Sequence, residues 1–168
     1  MVKKASARTK TAKQPLPQKA DGGPFLASAV FCDNTITDKD QIITAIRIVD
    51  GCIINIGPGA PEDFPSKDHP IGISQAALII LKRGDSKDKV SVRLEIEDPK
   101  GKRAQFFSQE FEFQPPLNAS ITIRINVEFQ IYNKGFFFID VFCDDQRMTR
   151  MPYNVDIRRE SVVIPKKT

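Results

Sequence analysis

Residues 121–131 have the sequence ITIRINVEFQI, and this stretch decides the fold. Every second residue from Ile121 to Ile131 is apolar, and the residues between them are polar or charged. Because successive side chains of a β-strand point to opposite faces, this period of two predicts a strand with one buried face and one face in water. Such strands are typical of antiparallel sheets that pack on a core with one side only.

Similar signals extend on both sides of this stretch. Residues 90–97 alternate in the same way, and residues 98–101 (DPKG) place Pro and Gly at the positions that tight turns favour. No segment shows a clear helical period. The predicted strands are 25–32, 42–49, 52–56, 76–82, 90–97, 103–113, 121–131, 136–143 and 147–155.

These strands predict an all-β fold. Short strands at a spacing of roughly ten residues are typical of a sandwich or a barrel. We prefer an antiparallel two-sheet β-sandwich, immunoglobulin-like or C2-like, of about eight strands. The loop 57–74 is rich in Pro and Gly and is long for a compact domain, and such loops usually have a function or move.

The formal net charge of +4 comes from the two ends of the chain. Residues 1–24 carry +5 and residues 158–168 carry +3, which leaves −4 for residues 25–157. The first 24 residues contain no aromatic residue and no isoleucine, so they cannot bury enough surface to offset the entropy of ordering. We therefore predict a disordered basic tail at 1–24, a β-sandwich domain at 25–157 and a basic C-terminal tail at 158–168.

The basic residues of the N-terminal tail have two interpretations. They can form an electrostatic tether to nucleic acid or to an anionic surface, or they can simply keep the chain soluble. The acidic middle of the chain does not support a basic domain face that reads DNA. The basic residues of this tail are Lys3, Lys4, Arg8, Lys10, Lys13 and Lys19.

Several classes of function lack their usual sequence signals. There is no phosphate-binding glycine-rich loop and no Gly-x-Ser-x-Gly motif, and the one histidine, His69, has no obvious triad partners. Cys32, Cys52 and Cys143 lie in separate apolar runs, which indicates buried free thiols in a reducing, cytoplasmic compartment. No apolar run reaches about 18 residues, so we expect no membrane span. We predict no catalytic residue, cofactor or metal site.

A calcium site in the turns is an alternative. If every connection reverses direction, the loops gather Asp85, Asp88, Asp144 and Asp145 at one end of the sandwich, and Asp33, Asp38, Asp40 and Asp98 at the other. Lysines and arginines alternate with both sets, which favours ordinary solvated turn residues. A calcium-dependent, C2-like binding domain therefore stays a secondary interpretation.

The strand 136–143 has apolar residues on both faces. One face carries Phe136, Phe138 and Phe142 beside Asp140, which is not the composition of an ordinary wet face. The strand 76–82 is similar, with Leu78 and Ile80 on the side opposite its core residues. If the two strands share a sheet, their outer residues form an apolar patch of the size found at interaction sites. The other interpretation is that the loop 57–74 covers this face.

The chain from residue 25 to residue 155 resembles a family of small bacterial β-sandwich proteins of unknown function. The matching segments are the opening strand end FCDN (31–34), the turn EDPKG (97–101), and the closing hairpin with GFFFID (135–140) and MPYNV (151–155). The turn Cys143-Asp144-Asp145 departs from the Asp-Gly that the family usually has there. The resemblance implies a bacterial sandwich domain and supplies no activity or site residues.

These observations together predict a non-catalytic binding or accessory module. We expect it to contact an unknown protein partner, or a second copy in a homodimer, through the outer apolar face of 136–142 and 76–82. The first alternative is an adaptor whose basic tail binds nucleic acid or anionic surfaces. The second is the calcium-dependent binding domain. The third is an enzyme whose site the sequence does not reveal, which a deep polar pocket with a strongly perturbed titrating group would favour.

Overall fold

The structure is a computed structural model, and it describes residues 22–40, 42–84, 88–113 and 120–160. These residues form nine β-strands and no helix, which confirms the predicted all-β fold. The strands are β1 (Phe25–Thr37), β2 (Ile43–Val49), β3 (Gly51–Ile56), β4 (Ile71–Lys82), β5 (Lys89–Glu97), β6 (Arg103–Glu112), β7 (Ser120–Ile131), β8 (Gly135–Cys143) and β9 (Gln146–Arg159).

The strands form two sheets, as a sandwich requires. The four-stranded sheet has the order β2-β1-β4-β7 and is antiparallel throughout. The five-stranded sheet has the order β3-β9-β8-β5-β6 and is antiparallel except for the pair β3 and β9, which run parallel. This pair departs from the expectation that every connection reverses direction. Only Asp50 separates β2 from β3, so the chain passes between the sheets without a reversing turn.

The passage between the sheets depends on a glycine. The Asn154 backbone N–H donates to the carbonyl oxygen of Asp50 at 2.7 Å, which brings β9 close to Gly51. A Cβ atom on Gly51 would overlap the Asn154 carbonyl oxygen and lie 2.9 Å from its carbonyl carbon. Glycine therefore permits the close approach of β3 and β9.

The core lies between the two sheets and follows the predicted alternation. In β7, Ile121, Ile123, Val127, Phe129 and Ile131 are all buried. Aromatic rings from both sheets meet in the middle, where the Phe129 and Tyr153 rings stack with centroids 4.7 Å apart. Burial of these apolar side chains supplies the main stabilisation of such a fold.

A polar bridge crosses this apolar core. The Tyr153 hydroxyl on β9 donates to Oε1 of Gln75 on β4 at 3.0 Å, and the Gln75 side-chain amide donates to the Cys32 carbonyl oxygen. Burial raises the pKa of the Tyr153 hydroxyl well above its ordinary value, so it stays a neutral donor. The bridge satisfies buried polar groups and links one sheet to the other.

Three of the predicted strands are about five residues longer in the structure. β1 continues to Thr37, β4 begins at Ile71 and β9 continues to Arg159. The extra residues of β1 pair with β2, and those of β4 pair with β7. They have mixed polar composition, so their hydrophobic pattern alone does not show that they belong to a strand.

The predicted tails lie mostly outside the described residues. All six basic residues of the N-terminal tail fall there, at positions 3–19, and so does the C-terminal tail after residue 160. In the part of the chain that the structure describes, no helix is long and apolar enough to cross a membrane.

Candidate functional site

The outer face of the five-stranded sheet carries the phenylalanines of β8. The inward residues of β8 are buried in the core, whereas Phe136, Phe138 and Phe142 alternate with them and lie on the opposite face. Asp140 shares that face but is only 2% exposed. The strand order places β9 on one side of these residues and β5 on the other.

Two of the three rings lie under arginine side chains. The guanidinium carbon of Arg93 lies 4.0 Å from the centroid of the Phe142 ring, and that of Arg150 lies 4.2 Å from the centroid of the Phe138 ring. These are cation–π contacts, in which the charged group and its stem also shield the ring from water. We call these four side chains the arginine-covered patch.

Acidic side chains hold the arginines of this patch in place. The Glu97 carboxylate accepts from Arg150 and from Arg103, each at 2.5 Å, and Arg93 pairs with Glu95. Burial favours a higher pKa for Glu97, but the hydrogen bonds and charges of the two arginines outweigh it and lower the pKa. Glu97 is therefore a stable carboxylate at neutral pH.

The buried acid of β8 belongs to the same network. Oδ1 of Asp140 lies 3.4 Å from Nε of Arg150 and 3.7 Å from Nη1 of Arg147. A carboxylate that is so little exposed needs nearby cations to offset the loss of hydration. The apolar face of β8 is thus covered over much of its length by arginines from its own neighbouring strands.

The predicted loop 57–74 is shorter in the structure, where residues 57–70 connect β3 to β4, and it is anchored at the end of β9. Arg159 donates to the backbone carbonyl oxygens of Pro61 and Glu62, at 3.0 and 2.8 Å, and to that of Phe64. Arginines cover the rings of Phe138 and Phe142. The sequence predicts a different cover for this face, either a partner or the loop 57–74.

Phe136 differs from the other two rings. It stacks on Phe138, with centroids 6.1 Å apart and planes 20° apart, and it remains 52% exposed. It lines a groove of about 630 Å³ with Ile53, which is 53% exposed, and Pro152. The groove also has charged lining residues, Asp50, Asp156 and Arg158. We call this surface the Phe136 groove.

Leu78 and Ile80 lie elsewhere in the molecule. They belong to β4 in the four-stranded sheet, on the face opposite the core residues Ala77 and Ile79. Leu78 is 4% exposed, and its cross-strand neighbours are Val30 and Arg124. β4 and β8 therefore do not share a sheet, and their outer residues do not form one patch. The hydrophobic pattern identifies strands with two apolar faces but not which strands are neighbours.

The turn aspartates have local partners. Asp144 accepts from the Ser91 backbone N–H at 2.9 Å, and Asp98 accepts from the backbone N–H groups of Lys100 and Lys102 at 2.9 and 2.8 Å. Among the described residues, which exclude Asp85, no group of three or more Asp, Glu, His or Cys side chains could hold a metal ion. The calcium alternative gains no support from these residues.

The cysteines have no disulfide in the described residues and are poor nucleophiles. Cys32 and Cys143 are buried and Cys52 is partly buried. Burial raises the pKa of all three thiols, and that of Cys143 reaches about 12. These thiols are protonated at neutral pH.

Sequence reasoning missed Ile53, Pro152 and the charged rim of the groove. The strand 52–56 was predicted correctly, but its alternation does not reveal that β3 ends a sheet. The absence of a charged residue from Gly51 to Ile56 is the signal that singles out β3 among the end strands.

Comparisons with known proteins add no relative. No protein-family model matches the chain, and no curated protein matches it significantly. The resemblance to a bacterial family therefore stays a prediction.

Proposed function

We propose that the protein is a non-catalytic binding module that contacts a protein partner through the Phe136 groove. The observation that carries this proposal is the exposure of Phe136, at 52%, whereas the other two outward phenylalanines of β8 are covered. A half-exposed aromatic ring beside a second exposed apolar residue, Ile53, is typical of a surface that another molecule covers.

The composition of the groove favours a protein partner. Its apolar part is formed by Phe136, Ile53 and Pro152, and three charged residues, Asp50, Asp156 and Arg158, also line it. Protein interfaces have this arrangement of an apolar centre with a polar rim. Burying about half of a phenylalanine side chain removes on the order of 100 Å² from water, which contributes about 2–3 kcal/mol.

Two observations support a non-catalytic role. The two arginines of the arginine-covered patch are paired with the acidic residues Glu95, Glu97 and Asp140, so these charges stabilise the sheet face. The three thiols have raised pKa values, which makes them weak nucleophiles.

A bacterial, cytoplasmic setting belongs to the same proposal. All three cysteines are free, as in proteins of a reducing compartment. Measuring the protein in cell fractions of its source tests this setting, and recovery in an oxidising compartment contradicts it.

Partner capture with a matched pair of variants tests the binding proposal. The full chain serves as bait in an extract of its natural source, beside Phe136→Asp and Phe106→Asp. Phe106 lies on β6 and is 37% exposed, so it controls for the loss of an exposed ring. We expect the proteins held by the wild type to remain with Phe106→Asp and to fall at least tenfold with Phe136→Asp.

Circular dichroism verifies that both variants are folded. Equal capture by the wild type and by a folded Phe136→Asp would show that the groove is not the binding surface. Capture lost equally with both variants would point to a general effect of removing an exposed ring, and it would also reject the groove.

A further inference from the structure

The four end strands of the two sheets differ in how they are protected. An end strand presents unpaired backbone N–H and C=O groups, and proteins usually protect it with charges, proline or a bulge. β7 carries Arg124 and Glu128, and β6 carries charged residues at both of its ends. β2 carries Arg47, which has a left-handed φ of 47° and pairs with Asp33 at 2.7 Å.

β3 has none of these protections. Its sequence from Gly51 to Ile56 is GCIINI, without a charged residue or a proline. It is the last strand of the five-stranded sheet, and within the described residues no strand pairs with its second edge. It also forms one wall of the Phe136 groove.

The hydrogen bonds to β9 show which backbone groups face this open edge. The carbonyl oxygen of Asp50 accepts from the N–H of Asn154 in β9, and that of Ile56 accepts from the N–H of Glu160, the residue after β9. Because backbone direction alternates along a strand, the even-numbered residues of β3 direct their groups to β9. Ile53 and Asn55 therefore direct theirs to the open edge.

We propose that a second copy of this chain pairs with this edge, β3 against β3, antiparallel about a two-fold axis. This inference goes beyond the proposed function, because it concerns the open edge of β3 and not the exposed ring of Phe136. Ile53 lies opposite Ile53 of the second copy, and Asn55 lies opposite Gly51, which has no side chain to obstruct it. The two five-stranded sheets then form one continuous sheet.

The charges beside β3 favour a second copy as the partner. Asp50 precedes the strand at one end, and Arg158 lies beside Asn55 at the other, since these two residues are cross-strand neighbours. Both charged residues are exposed, and Arg158 also pairs with Asp156 of its own strand at 2.9 Å. Antiparallel pairing about a two-fold axis brings Asp50 of each copy toward Arg158 of the other. The edge is thus complementary to itself, as a two-fold interface requires.

Substitutions at position 55 test this pairing in the full chain. Proline at 55 removes an N–H that faces the open edge and leaves the hydrogen bonds to β9 in place, whereas Asn55→Ser keeps the N–H. Light scattering after size exclusion measures the mass. We expect twice the chain mass of 18.8 kDa for the wild type and for Asn55→Ser, and 18.8 kDa for Asn55→Pro.

A second variant covers the case in which Asn55→Pro fails to fold. Ile53→Lys places two like charges opposite each other at the axis, and Ile53 is exposed enough to accept the change. We expect this variant to have the mass of one chain and the circular dichroism of the wild type.

Two results would overturn the pairing: a wild type with the mass of one chain, or a folded variant, Asn55→Pro or Ile53→Lys, that keeps the doubled mass. The capture experiment with Phe136→Asp separates this inference from the proposed function. If the wild type has the mass of one chain and its partner capture still depends on Phe136, only the pairing is rejected. If partner capture does not depend on Phe136, the proposed function is rejected.

Discussion

The arginine-covered patch and the Phe136 groove lie side by side on one sheet face, and they expose similar side chains to different degrees. In the patch, Arg150 lies over the Phe138 ring at 4.2 Å and holds it away from water. In the groove, Phe136 stacks on the Phe138 ring of the patch, with the ring planes 20° apart, but is 52% exposed. Both rings belong to the same strand and the same alternation.

The difference comes from the neighbouring strands. Phe138 lies between Glu97 of β5 and Pro152 of β9, close to the arginine that Glu97 holds. Phe136 lies beside Asn154, and beyond Asn154 the next strand has Gly51. Short side chains there leave the ring open. Cross-strand register therefore decides whether an apolar residue of an outer face is covered by a neighbouring side chain or exposed to water.

We expect the largest effect on stability from a substitution of Gly51, the glycine that lines the Phe136 groove. Gly51→Ala places a Cβ against the backbone of Asn154, so β3 and β9 must separate locally. We expect the free energy of unfolding to fall by about 3 kcal/mol, the upper end of the usual range for overpacking. Urea unfolding followed by circular dichroism measures this change.

Gly57→Ala is the matched control for that variant. A Cβ at position 57 meets nothing within 4 Å, so the same substitution is expected to change stability by less than about 1 kcal/mol. If Gly51→Ala is as stable as Gly57→Ala, the close approach of β3 and β9 is not a requirement of the fold.

The strands of both regions could be predicted from the sequence, because side-chain alternation is a local property. The segment from Ile121 to Ile131 has the expected buried and exposed faces, and Phe136 and Phe138 lie on the outer face that their position in the strand implies. Leu78 could not be placed, because its sheet depends on which distant strands pair. The parallel pairing of β3 with β9 is a further long-range property.

A smaller effect is expected from uncovering the patch. Arg150→Ala removes the guanidinium over Phe138, the donor to Glu97 and the nearest cation to Asp140. The buried carboxylate then keeps only Arg147, at 3.7 Å. We expect a loss of about 2 kcal/mol in the free energy of unfolding, together with stronger binding of a dye that fluoresces on apolar surfaces.

Arg150→Lys sharpens that comparison. Lysine keeps the charge near Asp140 but lacks the planar group that lies over the ring. Its stability should fall between those of the wild type and Arg150→Ala, with little increase in dye fluorescence. A ring that stays covered in Arg150→Ala, with unchanged fluorescence and stability, would show that the arginine is not what separates the patch from the groove.

The sequence alone could not predict that Arg93 and Arg150 cover the rings of β8, and the reason is physical. Arg93 and Arg150 are separated by 57 positions along the chain, and both act on rings of β8 because β5 and β9 flank that strand. The sequence shows that the β8 face needs a cover. It does not show that cations from two distant strands supply it.

The smallest expected effect is a difference in acid sensitivity, since the arginines that hold Glu97 are partly exposed. Burial acts to raise the pKa of Glu97, but its arginine partners lower it below the value in the unfolded chain. A carboxyl group of this kind stabilises the fold above its unfolded-state pKa. That contribution disappears as the pH falls through the folded-state pKa.

Glu97→Gln tests whether this charge matters to the patch. Glutamine cannot lose a proton, so its stability should decline less from neutral to acidic pH than that of the wild type, and the two should converge in acid. Urea unfolding at a series of pH values measures both profiles. Parallel profiles would mean that Glu97 does not hold Arg150 through its charge, and the covering of Phe138 would then depend on packing alone.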